Sequence, residues 1–134
     1  MKDRLLRSLA RLSSEEYQDA FIVHGTKDEY VLPEDLVEGV ASLCALAQRE
    51  ERRGEFLPNE LEALDRMLSD IRTRGRRIFV GAMPTTATSL VHNNEEWRAL
   101  RAEAQSCLNT FRARAEDFVT DEIKQKWGAG SIGQ

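Results

Sequence analysis

Two histidines, two cysteines and several carboxylate pairs are the residues of this chain most able to do chemistry, and their spacing works against each use. His24 and His92 lie far apart, so neither makes the pair three to five residues apart that a helical or hairpin zinc site uses. Cys44 and Cys107 are equally remote, and each falls within an apolar helical pattern. Buried free thiols in a reducing cytosol are therefore expected, rather than a disulfide. Glu15/Glu16 and Glu95/Glu96 are adjacent in sequence and diverge on a helix, so they do not converge on one substrate. His24-Gly25-Thr26-Lys27 lacks the first glycine and the Gly-Lys-Ser/Thr order of a phosphate loop. No nucleophile elbow occurs. The expectation is a non-enzymatic protein with no cofactor and no metal.

Charge is distributed more tellingly than chemistry. Across residues 14–40, eight acidic residues face Lys27 alone, whereas residues 1–13 and 72–77 are net basic. Asp28, Glu29, Tyr30, Glu34, Asp35 and Glu38 concentrate negative potential beside one aromatic side chain. They are the candidate surface for a basic protein partner, with the charge steering encounter and Tyr30 as an anchor. The competing patch is Arg72, Arg74, Arg76 and Arg77 with Phe79, which together with Arg4, Arg7 and Arg11 suits phosphate contacts. A pI near 5.3 and the lack of a helix-turn-helix pattern make nucleic acid the less expected partner. Helix-dipole complementarity alone accounts for some of these charges, since several acids fall in first turns and several arginines in a last turn.

The elements that must position these residues are helical. From Asn94 to Trp127 there is no glycine or proline, and Trp97, Leu100, Ala104, Cys107, Leu108, Phe111, Ala115, Phe118, Val119, Ile123 and Trp127 recur at steps of three and four. One helix of about 50 Å is expected there, the longest of the fold, with Thr120-Asp121-Glu122 marking a kink risk near Val119. Leu5, Leu6, Leu9 and Leu12 edge a first helix, and Ser13 with Glu16 has capping-box spacing for a second that ends at His24-Gly25. Pro33 and Pro58 open a third helix running to Gly54 and a fourth ending before Gly75. The Val31–Leu36 and Phe56–Leu61 segments resemble each other through this shared helix-start pattern, not through a repeat. Residues 75–93, including Ile78-Phe79-Val80 as a lone strand or apolar plug, are expected to form a long irregular connection.

The fold expected is therefore all-α: a single-domain bundle of about five helices over residues 1–127, with a flexible tail at 128–134. Trp97, Leu100, Phe111 and Phe118 should pack on Leu36, Val40, Leu43, Leu61, Leu64 and Leu68. No apolar run reaches the length of a membrane span, and the N-terminus lacks a signal peptide's apolar core and cleavage site, so a cytoplasmic protein is expected. Arginine outnumbers lysine fifteen to four, a bias associated with GC-rich bacteria. In size, acidity and helical build the chain resembles the small single-domain immunity proteins that bacteria make beside secreted toxins. That resemblance implies neutralisation of a basic toxin by direct binding. The alternatives are a helical adaptor that dimerises along its C-terminal helix and a nucleic-acid binder using Arg72 to Arg77.

Overall fold

The structure, a computed structural model, describes residues 1–79 and 86–132. Those residues form eight α-helices and one π-helical turn, with no strand among them. The elements are α1 (Lys2–Ser13), α2 (Glu15–Gln18), the π-turn (Asp19–Val23), α3 (Pro33–Ala47) and α4 (Glu50–Arg53), then α5 (Pro58–Phe79), α6 (Ala87–Asn93), α7 (Glu95–Thr110) and α8 (Glu116–Ile132). Four long helices form the core ring: α1 packs on α3 and α7, and α5 closes the ring by packing on the same two. α6 lies on the π-turn and α7, and α8 lies across α1 and α2. Among the described residues no helix is long and apolar enough to cross a membrane.

Local chemistry explains most of the helix starts. Pro33 and Pro58 each occupy a first turn, where the missing N–H is not needed. At the head of α5 the Glu60 carboxylate accepts from the Leu57 N–H at 2.9 Å and so caps the helix. Asn94 Oδ1 accepts from the Trp97 N–H at 2.9 Å and opens α7. The cap of α2 is Ser14, whose hydroxyl accepts from Tyr17 N–H, one residue later than the sequence pattern suggests. Ser13 instead belongs to α1 and donates to the Ala10 carbonyl.

Four expectations need correction. The stripe from Asn94 to Trp127 is two helices, not one, so the longest helix is α5. The break falls at Phe111–Ala115, ahead of Val119. It is a Schellman turn: Ala113 N–H donates to Leu108 O, Arg112 N–H donates to Asn109 O, and Arg112 takes φ 58°. An arginine in the position normally given to glycine leaves no sequence signal. Arg112→Gly is expected to raise stability by about 0.5–1 kcal/mol, because relief of left-handed strain outweighs glycine's greater unfolded-state freedom. A thermal melt at constant pH checks it, and a lower melting temperature would contradict it.

Second, α5 does not stop before Gly75. Ile78 continues the buried row of Leu64, Met67 and Ile71, and that packing overrides glycine's cost of about 1 kcal/mol in a helix. Ile78 and Phe79 are therefore helical rather than a strand, while Val80 lies outside the described residues. Third, the expected irregular connection 75–93 shrinks, because Thr86 accepts from Ser89 N–H and caps α6. Likewise α3 ends at Ala47, and the short α4 precedes Gly54. Helix α8 runs from Glu116 to Ile132.

The fourth correction concerns the core. Trp97, Leu100, Val40 and Leu64 are fully buried, and Leu36 and Leu68 nearly so. Phe111, Phe118, Leu43 and Leu61 only lean on the core from its margin. Phe111 follows the last turn of α7, where it meets Phe56 edge-on at 6.2 Å, and so sits at the rim. Cys44 and Cys107 are both buried free thiols.

Candidate protein-recognition surface

The candidate acidic residues occupy the loop between the π-turn and α3, and the exposed side of α3. Asp28, Glu29, Tyr30, Glu34, Asp35 and Glu38 are all exposed. The loop is held from within. Thr26 Oγ1 accepts from Glu29 N–H at 3.1 Å, and Val31 N–H donates to Phe21 O at 3.0 Å. Gly25 lies under the Tyr30 ring; an added Cβ would sit 2.6 Å from the Phe21 carbonyl oxygen and closer still to Tyr30 Cδ2. Among the described residues no glycine has a positive φ, so Gly25 is required for close approach and not for the left-handed helix end expected of it.

No cation within the fold answers this acidic group. Among the described residues, none of Asp28, Glu29, Glu34, Asp35 and Glu38 makes an ion pair. Glu15, Glu60, Asp70, Glu96 and Glu122 do, whereas other exposed acids such as Glu62 and Asp65 on α5 do not, so what marks this group is its density in sequence. Glu34 and Asp35 are favoured by the α3 dipole, but Glu38 lies one turn from both and adds like-charge repulsion.

Sequence reasoning found Tyr30 as the anchor of this face but missed Leu32 and Trp127. Tyr30 and Leu32 are each 46% exposed between the carboxylates. Trp127, 47% exposed, borders the loop: its ring meets His24 edge-on at 5.8 Å, with Lys126 Nζ 5.0 Å from its centroid. Leu32 had no signal because it precedes Pro33 and reads as a hydrophobic staple. Exposed apolar side chains thus occur beside the carboxylates on the loop, a mixture that protein interfaces use.

A second polar cluster adjoins the π-turn. His92 of α6 bonds Glu15 Oε2 through Nδ1 at 2.9 Å and Asp19 Oδ1 through Nε2 at 3.1 Å. The same Asp19 oxygen lies 3.8 Å from His24 Nε2, and Arg101 lies 3.7 Å from Glu15. The Glu15 hydrogen bond, and then that of Asp19, raises the imidazole above its ordinary 6.5; the His92 bond lowers Glu15 from its ordinary 4.5. The pair latches α6 to α2 and the π-turn. Histidine with a raised folded pKa contributes stability that is fully present below 6.5 and fades as pH rises through the raised value. Glutamate with a lowered pKa contributes above 4.5 and fades as pH falls through the lowered value. His92→Gln should therefore lower the melting temperature most between 4.5 and 6.5, where both groups are charged in the fold, and least once the pH has passed above the raised histidine value. Equal losses at both ends of the range would contradict the latch. Among the described residues no group of three or more His, Cys, Asp or Glu side chains is arranged to hold a metal ion.

Half of the arginine cluster is paired within the fold. Arg74 is bound by Asp70 and Glu96, both at 2.9 Å, and Arg77 reaches Glu96 at 3.4 Å. These bonds, Asp70's first, raise the Arg74 pKa and tie α5 to α7. Arg72 and Arg76 alone of the four make no ion pair among the described residues. In the α7 half of the C-terminal stripe, Trp97, Leu100, Ala104 and Leu108 are fully buried in the chain's own core, whereas in the α8 half Phe118 and Ile123 are only partly buried and Trp127 is exposed. Comparison of the chain with protein-family models, with curated proteins and with solved structures finds no match.

Proposed function

We propose that this chain is a non-enzymatic protein-binding module whose loop and α3 face captures a basic protein, most specifically as an immunity-type protein neutralising a basic bacterial toxin. One observation carries the reading. Five exposed carboxylates, none ion-paired among the described residues, flank the exposed Tyr30 and Leu32 along the loop and the start of α3, and the loop is held by Thr26 and Gly25. The carboxylates speed encounter with a positive surface, and the two apolar side chains supply buried contact once the complex forms. Because the loop is internally hydrogen-bonded, little ordering entropy is lost on binding.

Charge reversal tests the proposal. Affinity capture followed by mass spectrometry should retain a basic partner on the wild-type protein. Glu34→Lys with Asp35→Lys is expected to slow association at least about tenfold, and the difference should shrink as salt rises. Glu62→Lys with Asp65→Lys makes the same change in net charge on an exposed part of α5 and should leave capture intact. Equal loss in both variants would reduce the effect to net charge. Loss only in Arg72→Glu with Arg76→Glu would move the contact to the basic patch and overturn the proposal.

A further inference from the structure

The seam between α1 and α3 holds an open cleft of about 460 Å3 whose chemistry is opposite to that of the acidic face. Its α1 wall carries Arg4, Arg7 and Arg11 at helical spacing, so that three guanidinium groups lie along one row. Like charges one turn apart destabilise a helix, and only one of the three is relieved. Glu122 of α8 takes Arg11 in a two-bond pair, 2.7 Å at its shorter contact. Arg4 and Arg7 make no ion pair among the described residues, although both line the cleft.

The facing wall supplies what such a pair of arginines needs for a small ligand. Gly39 forms part of the floor, and a Cβ there would meet nothing within 4 Å, so the backbone of α3 is open to approach. Ser8 and Ser42 line the same space, and Leu43 and Leu46 add apolar surface to it on the side of the Arg4 end, because the start of α1 and the end of α3 both meet the head of α5. Two unanswered guanidinium groups beside two hydroxyls match the oxygens of a phosphate, whose geometry suits forked N–H donors. The leucines match an apolar carrier. The volume is that of a small-molecule site.

We propose that this cleft binds a phosphate monoester borne on an apolar group, with Arg4 and Arg7 holding the phosphate and Leu43 and Leu46 covering the carrier. Glu122 neutralises the row at Arg11, which places the anion at the Arg4 and Arg7 end. The carrier is a soluble metabolite or the tail of a lipid, and the shared headgroup chemistry is what the cleft reads.

Phenyl phosphate titrated into the isotopically labelled full chain is the direct probe. Saturable amide shifts are expected at Ser42, Leu43 and Leu46, with inorganic phosphate binding more weakly because it leaves the leucines uncovered. Arg4→Gln with Arg7→Gln should weaken phenyl phosphate at least about tenfold. Arg72→Gln with Arg76→Gln, which removes the same charge from exposed positions, should not. Sedimentation with phosphatidic acid vesicles distinguishes the carriers: Arg4- and Arg7-dependent co-sedimentation assigns a lipid, and phenyl phosphate binding without co-sedimentation assigns a soluble ester. Non-saturating shifts spread over many arginines, or binding unchanged in the Arg4/Arg7 double variant, would overturn the site.

Discussion

Trp97→Ala is expected to cost about 3–5 kcal/mol, a large share of the 5–15 kcal/mol by which domains of this size are stable. Trp97 is fully buried, and it is the largest of the fully buried side chains. Its ring meets Phe79 edge-on at 6.5 Å, and its indole N–H donates to Gln18 Oε1 at 2.9 Å. Truncation removes the ring's apolar burial, leaves a cavity where α5 and α7 pack, and deprives Gln18 of a donor. Phe111→Ala is the internal control. That ring is only partly buried at the rim, so the loss should be about 1–2 kcal/mol rather than the value of a core aromatic. Urea titrations of both variants rank them directly. A Trp97→Ala midpoint equal to or above that of Phe111→Ala would contradict the core assignment.

Gln18→Leu is expected to be nearly as damaging, about 3–5 kcal/mol, despite conserving volume and adding apolar surface. Among the described residues Gln18 is the one side-chain amide that is completely buried, and each of its polar atoms is used twice. Its Nε2 donates to the carbonyls of Arg11 at 3.1 Å and Leu12 at 2.6 Å, at the end of α1. Its Oε1 accepts from Trp97 Nε1 and from Arg101 Nη1 at 3.2 Å on α7. One side chain thus joins the last turn of α1 to α7. Removing it strands a buried indole N–H and two carbonyls, and each orphan costs about 1–3 kcal/mol. Denaturant unfolding of the variant within 1 kcal/mol of wild type would show that the network is incidental to stability. The Arg101 guanidinium, pulled down by burial, retains its bond to the Val91 carbonyl at 2.9 Å, so α6 should stay docked in the folded variant.

How far the sequence carries depends on which features are local. The stripe Leu5, Leu9 and Leu12, the proline starts at Pro33 and Pro58, and the Asn94 cap each depend on neighbouring residues, and each appears where its pattern places it. The Arg112 turn is local as well but silent, because its hydrogen bonds use only backbone. The apolar spacing also persists through it, since both flanking helices need an apolar face. The His92 latch and the Gln18 bridge join residues 73 to 83 positions apart, and no spacing rule within one helix detects them. At the candidate surface, the charge of Asp28 to Glu38 is plain in the sequence. The lack of any internal counter-ion and the exposure of Leu32 and Trp127 emerge only from packing.

The burial of both thiols has a practical consequence. Cys44 lies on α3 in the core, and Cys107 lies on α7 in the same core. Burial pushes each thiol up to about 12, so at neutral pH neither presents a thiolate to an alkylating reagent while the chain is folded. Modification must then wait for the helices to part, and its rate becomes a chemical clock for opening of the core. A cysteine engineered on the loop can carry a fluorophore without replacement of the native two, and the unlabelled pair will report, in the same sample, whether the label has disturbed the fold.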